Sequence, residues 1–291
     1  MRTINTRRIT SFIILGLLLV GTWAITGCGQ QTNNTPAPTP NQSSGTPALS
    51  GNLTIAGSTS VQPFSDVLAE EFMAKNPNVK INVQGGGSSQ GIEAAVSGAA
   101  NIGASSRALK AEEKAKGLSD TTIALDGISI VVHPGNTVSN LKTEDVKNIY
   151  MGNIKNWKDV GGPDAVITVV TREEGSGTRD AFSDLVMAKG EISKSAVVQN
   201  STGAVRTTVA ADKNAIGYIS MASMNQEVKA LDIDGVAASE ANVKAGTYKI
   251  SRPFLYATKG APEGLTKAFI DFVLSAEGQK LIVEEGAFSV K

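Results

Sequence analysis

The sequence predicts an α/β fold with a mainly parallel sheet, arranged as two lobes. Three observations carry that prediction. Strand-like and helix-like stretches alternate from Asn52 onward, the order that builds parallel strands with covering helices. The same rhythm restarts near Gly135, just after a β run that ends at Pro134. Beyond the N-terminal leader and stalk about 240 residues remain, more than one ordinary core holds but a comfortable size for two domains.

Each element has its own signal. "NLTIAG" is a short β-rich run, and "SVQPFSDVLAEEFMAKNP" follows with Val61, Phe64, Val67, Leu68 and Phe72 at helical spacing, stopped by Pro77. "VKINVQG" predicts a second strand. "SSQGIEAAVSG" predicts a second helix with Ile92, Ala95 and Val96 on one side. "ANIGASS" reads as a third strand leading into the helical "LKAEEKAKG", and "TIALDGISIVVHP" as a longer β run. In the second half "KTEDVKNIYMGNI" is helical, "AVITVVT" extended, and "SGTRDAFSDLVMAKG" a helix with Phe182, Leu185 and Val186 facing inward. "GAVRTTVAADKNAIGYIS" supplies another helix and strand. "RPFLYATKG" is a β run, and "LTKAFIDFVLSAEGQKLIVEEG" one long amphipathic helix.

The N-terminus gives an address. Arg2, Arg7 and Arg8 form a basic start, and the apolar run from Phe12 to Ile25 follows. That run is too short to cross a hydrocarbon core of about 30 Å, which takes about 20 helical residues. Basic start, short apolar core and small residues describe a secretory leader, residues 1–27. Ile25-Thr26-Gly27-Cys28 resembles a bacterial lipobox, which implies that Cys28 becomes the lipidated first residue of a membrane-tethered protein outside the cytoplasm. Cys28 is the single cysteine, so no intramolecular disulfide is possible. The stretch to residue 50 has no charge and almost no large apolar residue, and cannot offset its ordering entropy; it reads as a stalk.

Charge excludes one partner class. The chain has 27 basic and 27 acidic residues; without the three leader arginines, 24 face 27, with no strongly basic stripe of the kind nucleic-acid binders carry. An anionic ligand would therefore need a local site.

Three turns offer one. "AGSTS", "GGGSSQ" and "REEGSGT" each follow a strand and precede a helix, so each places hydroxyls and free backbone N–H groups at the positive end of a helix. Glycine allows close backbone approach, and Ser and Thr add donors without charge. A lone Ser or Thr before a helix is ordinarily an N-cap; three such turns at strand ends, where parallel sheets hold ligands, argue for more. Nucleotide motifs fail: no G-x-x-x-x-G-K-[ST] occurs, and Gln90 stands where a G-x-G-x-x-G begun at Gly85 and Gly87 needs glycine. His133 is the sole histidine, so no His/Cys zinc cluster can form, and no nucleophile elbow is placed to use it. Catalysis, metal and cofactor are not expected.

"AGSTSVQPF", "GGGSSQGI", "IGASSR", "NIYMGNIKNWKDVGG", "TREEGSGTRDAF", "NAIGYIS" and "RPFLYATKG", in this order behind a lipobox, resemble the substrate-binding lipoproteins of phosphate ABC transporters, over essentially all of residues 52–291. The resemblance implies a two-lobed clamp of the periplasmic-binding-protein type with the ligand in the interdomain cleft and a discontinuous first domain. Residues 51–133 and 253–291 would form domain I and 134–252 domain II, with crossings at "SIVVHPGN" and "KISRPFLY". It further implies inorganic phosphate as ligand, a permease with ATPase subunits as partner, and a monomer. Carried over, Thr59, the Ser60 amide and Ser88 take the first two turns' ligand positions, with Ser58 beside them, and Arg172, Ser176, Gly177 and Thr178 the third. Arg172 offers paired donors to two oxygens, and Arg179 is structural.

One position departs from the family. Ser106, in "GASS", stands where well-known members carry an aspartate that accepts the phosphate proton and rejects sulfate. Either Ser106 serves as a neutral donor and acceptor, or Asp126 in "ALDGI" supplies the acceptor, the favoured reading. Arg107 contacts the anion or pairs with Asp126. Sulfate or another oxyanion is the alternative ligand; a phosphate-reporting lipoprotein and a secreted phosphohydrolase are the alternative roles.

Overall fold

The computed structural model describes residues 48–188 and 190–291. The leader, Cys28 and all but the end of the stalk lie outside the described residues. Among those described, no helix is long and apolar enough to cross a membrane.

The elements alternate as expected. β1 (Gly51–Gly57), α1 (Gln62–Lys75), β2 (Val79–Gly85), α2 (Ser88–Ser97), β3 (Ile102–Ser105) and the single turn α3 (Ala111–Lys114) lead into the long β4 (Leu118–Val132). Then come β5 (Asn140–Leu141), α4 (Thr143–Met151), β6 (Thr168–Arg172), α5 (Gly177–Phe182), β7 (Val197–Gln199), α6 (Thr202–Ala211) and β8 (Ala215–Ser220). β9 (Lys229–Ala230), β10 (Asp232–Ile233), α7 (Glu240–Lys244), β11 (Ser251–Lys259), α8 (Gly264–Val273) and α9 (Ala276–Glu284) complete the chain. α1 shows the local logic: Pro63 sits in its first turn, where no N–H is needed, and Asn76 closes its end through a 2.8 Å bond from Nδ2 to the Phe72 carbonyl.

The main sheet runs β2-β1-β3-β11-β4-β8-β6-β7. Its two flanks are parallel, but β11 is antiparallel to both β3 and β4, and β4 is antiparallel to β8. The expected mainly parallel sheet is thus corrected to a mixed one. β4 carries the chain out of the first half and β11 carries it back, so the two lie side by side in opposite directions. β4 pairs with β11 from Leu118 to Gly127 and with β8 from Ile128 to Val132, handing over at one glycine.

Two aromatic-rich cores flank that handover. One packs Leu53, Ile55, Phe64, Phe72, Phe254 and Phe269. The other packs Ile128, Ile130, Tyr150, Trp157, Phe182 and Tyr218. Fully burying each large apolar side chain contributes roughly 1.5–3 kcal/mol, so each core can hold its own lobe.

Two helices differ from expectation. α5 ends at Phe182 and continues as one π-turn, Ser183–Met187. The wider turn shifts the register, so Val186 and Met187 go inward while Leu185 is 43% exposed, correcting its assignment to the core. The C-terminal helix is two helices: Ser275 interrupts it, its Oγ accepting the Gly278 amide at 3.1 Å to start α9.

Candidate ligand-binding site

Four strand-to-helix turns supply the site. Ser58 to Val61 joins β1 to α1; its start is fixed by the Ser58 amide donating to the Ala104 carbonyl at 2.9 Å. Between β2 and α2, the amides of Gly86 and Gly87 both donate to the Gly57 carbonyl, at 2.8 and 3.0 Å. Gly87 adopts φ +97°, a conformation other residues rarely tolerate, and so brings Ser88 to the first position of α2. The turn after β6 places Gly177 and Thr178 at the start of α5, with Ser176 as N-cap accepting the Arg179 amide at 3.3 Å. The turn after β7 places Thr202 at the start of α6, capped by Ser201.

These turns come from both cores and their side chains meet. Ser60 Oγ lies 3.1 Å from Thr178 Oγ1 and 2.7 Å from Thr202 Oγ1. Arg172 Nη1 donates to Thr202 Oγ1 at 3.1 Å, and the Thr202 amide to Thr59 Oγ1 at 3.3 Å. Ser88 Oγ accepts the Ser106 amide at 3.1 Å and sits 3.4 Å from its hydroxyl. A methyl at Gly177 would strike the hydroxyls of both Ser88 and Ser106, so the three residues are in register. Ser60, Ser88, Ser106, Arg172, Thr178 and Thr202 are all no more than 2% exposed. The result is a cluster of neutral hydroxyls around one guanidinium. Such a set can surround an oxyanion with donors and, because hydroxyls also accept, can meet a proton on it.

The guanidinium is braced. Glu173 receives Arg172 Nε and Nη2 at 2.7 Å each. The Arg172 amide donates to Tyr218 Oη at 3.2 Å, and Tyr218 stacks on Phe182 with centroids 4.2 Å apart. Arg179 donates to the Arg172 carbonyl at 3.0 Å and so holds the loop.

Three residues stand differently from expectation. Asp126 is fully buried, and three donors engage its carboxylate: Ser220 Oγ at 2.7 Å, Arg252 Nε at 3.1 Å and Arg252 Nη2 at 3.0 Å. Its hydrogen-bond partners are Ser220 and Arg252, and no hydrogen bond joins it to the hydroxyl cluster, so Asp126 stands apart from the residues it was expected to share the site with. Burial pushes its carboxyl up, opposed by Arg252 and Ser220. Arg107 pairs with Glu113 and Asp180, not with Asp126 or the hydroxyl cluster. The hydroxyl of Ser58 accepts the Ser60 amide at 3.2 Å, which shapes the first turn from within and engages the amide expected to face the ligand.

Thr202, Glu173 and Arg252 were not anticipated. Thr202 had a signal: "QNSTGAV" is a fourth hydroxyl-and-glycine turn between a strand and a helix. Glu173 could be read as the neighbour of Arg172. Arg252 had no local signal, because its partner lies 126 positions away.

Comparison with known proteins follows the same lines. Residues 41–277 match the family described as PBP superfamily domain. The phosphate-binding protein PstS of Bacillus subtilis is 35% identical over 281 residues, covering 95% of this chain and 93% of its own. PstS of Pseudomonas aeruginosa strain PAO1 is 30% identical, covering 82% and 83%. Among solved structures, a putative phosphate ABC transporter substrate-binding protein from Clostridium perfringens, with bound phosphate, shares 44% identity at a TM-score of 0.80, covering 83% of this chain and all of its own. An ABC-type phosphate transport receptor from Vibrio cholerae shares 40% identity at 0.70, covering 81% and 99%.

Proposed function

The chain belongs to the PBP superfamily and, within it, to the PstS phosphate-binding proteins, and from that premise we propose that it captures inorganic phosphate outside the cytoplasmic membrane and delivers it to an ABC permease driven by ATPase subunits. The observation that carries this reading is the meeting of Ser60, Ser88 and Ser106 from one half of the chain with Arg172, Thr178 and Thr202 from the other. A tetrahedral anion bridging those two half-sites favours closure, because only the closed arrangement makes both sets of contacts. Binding needs no covalent step, so the protein is read as a carrier, not an enzyme.

Domain I is read as residues 51–133 and 253–291 and domain II as 134–252. Ile128, Ile130 and Val132 pack in the second core, which makes β4 a strand shared by both lobes. Thr59, Ser60, Ser88, Ser106, Arg172, Ser176, Gly177 and Thr178 are assigned to phosphate, with Thr202 added. Cys28 is read as the lipid anchor to the cell membrane, the stalk as the tether that keeps the clamp near its permease, and the clamp as a monomer that binds no nucleic acid.

Selectivity rests on Ser106. With Asp126 engaged by Arg252 and Ser220, a hydroxyl is read as the group that receives the phosphate proton, and a hydroxyl tolerates a fully ionised oxygen better than a carboxylate does. That keeps sulfate as a second reading. Calorimetric titration of ligand-stripped protein with phosphate and sulfate in parallel tests both. Tight phosphate binding that excess sulfate does not displace supports the phosphate reading. Equal or preferential sulfate binding replaces the ligand and keeps the clamp, and no heat with either overturns the capture function.

A further inference from the structure

Arg107 has all five of its N–H groups engaged. Nη1 donates to Glu113 Oε2 at 2.8 Å and to the Ala108 carbonyl at 3.0 Å. Nη2 donates to Glu113 Oε1 at 2.7 Å and to Ser89 Oγ at 3.2 Å, and Nε to Asp180 Oδ2 at 2.8 Å. A guanidinium offers five such donors, so none remains for an anion. Four of the five stay on its own side of the molecule. Leu109, two residues on, packs with Ile92, Leu118 and Leu255. Only Nε crosses: Asp180 lies on α5, whose Ala181 and Phe182 belong to the other core. Lys110 Nζ adds a second cation 3.4 Å from the same Asp180 oxygen.

Glu113 fixes the arginine before anything crosses. Burial alone would raise its carboxyl, but hydrogen bonds from Arg107 and the Lys110 amide leave it below the ordinary glutamate range. The two-pronged pair sets the guanidinium plane, and Nε then points across the cleft. Asp180 sits two positions beyond Thr178 on the same short helix. A force on that carboxylate therefore acts on the helix that presents Gly177 and Thr178 to the ligand site. Close by, the Ser89 amide at the start of α2 donates to the Gly175 carbonyl at 3.0 Å, a second contact with the turn that leads into α5.

We propose that Arg107 and Asp180 form an electrostatic latch between the lobes, a positioning pair that slows ligand escape without touching the ligand. It rests on the reading of the protein as a phosphate clamp. The pair is retained only while the lobes are together, so it lowers the opening rate. Asp180 is 24% exposed, which screens the attraction. Removing its charge is expected to speed phosphate dissociation about 5- to 20-fold, below the effect of breaking a fully buried pair.

The test uses the full chain and its Asp180→Asn variant. Dissociation of radiolabelled inorganic phosphate is followed after a chase of unlabelled phosphate. In parallel, spin labels on Lys80→Cys and Val166→Cys, exposed positions in the two lobes, report the inter-lobe distance without ligand. The latch predicts faster dissociation and a shift toward longer inter-label distances. Asp180→Glu should recover part of the loss, whereas a purely structural role for Asp180 would instead lower the melting temperature of the stripped protein. An unmoved value in either the dissociation rate or the distance overturns the proposal, as does a variant whose ligand-free melting temperature falls. Wild-type protein that binds no phosphate overturns the functional reading instead, and the inter-label distances then decide the latch alone.

Discussion

Two buried arginine–carboxylate pairs lie near the site, and they do opposite work. Arg172 and Glu173 are adjacent in sequence, on one loop, with the carboxylate 26% exposed. Arg252 and Asp126 face each other across β11 and β4, at 2% and 0% exposed. In the first pair the carboxylate takes Nε and Nη2 and leaves Nη1 for the Thr202 hydroxyl, inside the cluster. In the second, the carboxylate is engaged by Arg252 and Ser220, at the point where β4 exchanges one partner strand for another. A pair between sequence neighbours costs little chain order and can present a donor to a third group. In the pair between distant strands the carboxylate is spent on holding them, while Arg252 Nη1 is buried without a hydrogen-bond partner. Arg172 is thus placed to serve the proposed binding, whereas Asp126 is engaged in holding β4 and β11 together, although both sit in motifs that point toward the ligand.

The largest effect is expected from Asp126→Asn. It leaves Arg252 buried and uncompensated, which typically costs about 3–5 kcal/mol of stability. The melting temperature should fall clearly, with preference between phosphate and sulfate unaltered in protein that remains folded. A stable variant with relaxed discrimination against sulfate would break the comparison and return Asp126 to the ligand site.

Arg172→Ala should do the reverse. Loss of a buried charged donor set is expected to weaken phosphate binding by about a hundredfold or more, roughly 3 kcal/mol, with the fold intact. Titration calorimetry and thermal melting on the same sample separate the two effects. Thr202→Val is the milder form, removing the hydroxyl that links Arg172 to Ser60 while keeping the shape; about a tenfold loss of affinity is expected for one such bond. Unchanged affinity would show that Thr202 only caps the cluster.

The same contrast explains what could be read in advance. Thr59, Ser60, Ser88, Arg172 and Thr178 were legible because each lies in a short hydroxyl-and-glycine turn whose chemistry is local. The alternation of strands and helices was legible for the same reason, since side-chain period is a local property. Strand direction is not: nothing in "RPFLYATKG" says that β11 returns antiparallel between β3 and β4. Nor does "ALDGI" name Arg252, because the pair is decided by the sheet register. Leu185 was misassigned because a π-turn leaves no Gly or Pro mark. Ser275 did leave one, a serine three positions before the amide it caps, inside an apolar pattern strong enough to hide it.

The smallest expected effect concerns a third pair, Glu113 and Arg107, which lies between the two extremes: local in sequence like Arg172 and Glu173, yet nearly closed to solvent at 11% and 6%. Burial raises the Glu113 carboxyl, but the Arg107 and Lys110 hydrogen bonds more than reverse this, so its folded-state pKa lies below the unfolded value. A group depressed in this way stabilises the fold above its unfolded pKa. That contribution is lost as pH falls through the folded pKa, because the protonated acid no longer accepts the guanidinium. Glu113→Gln should therefore be less stable than the parent at pH 7 by about 1.5 kcal/mol, the scale of a hydrogen bond to a charged group. The gap should begin to close below about pH 4.3, the ordinary glutamate value. Parallel denaturant titrations between neutral and acid pH measure it. A gap that persists undiminished at low pH would mean that shape, not charge, joins Glu113 to Arg107, and the division of the arginines by the carboxylates that hold them would then fail at its most local example.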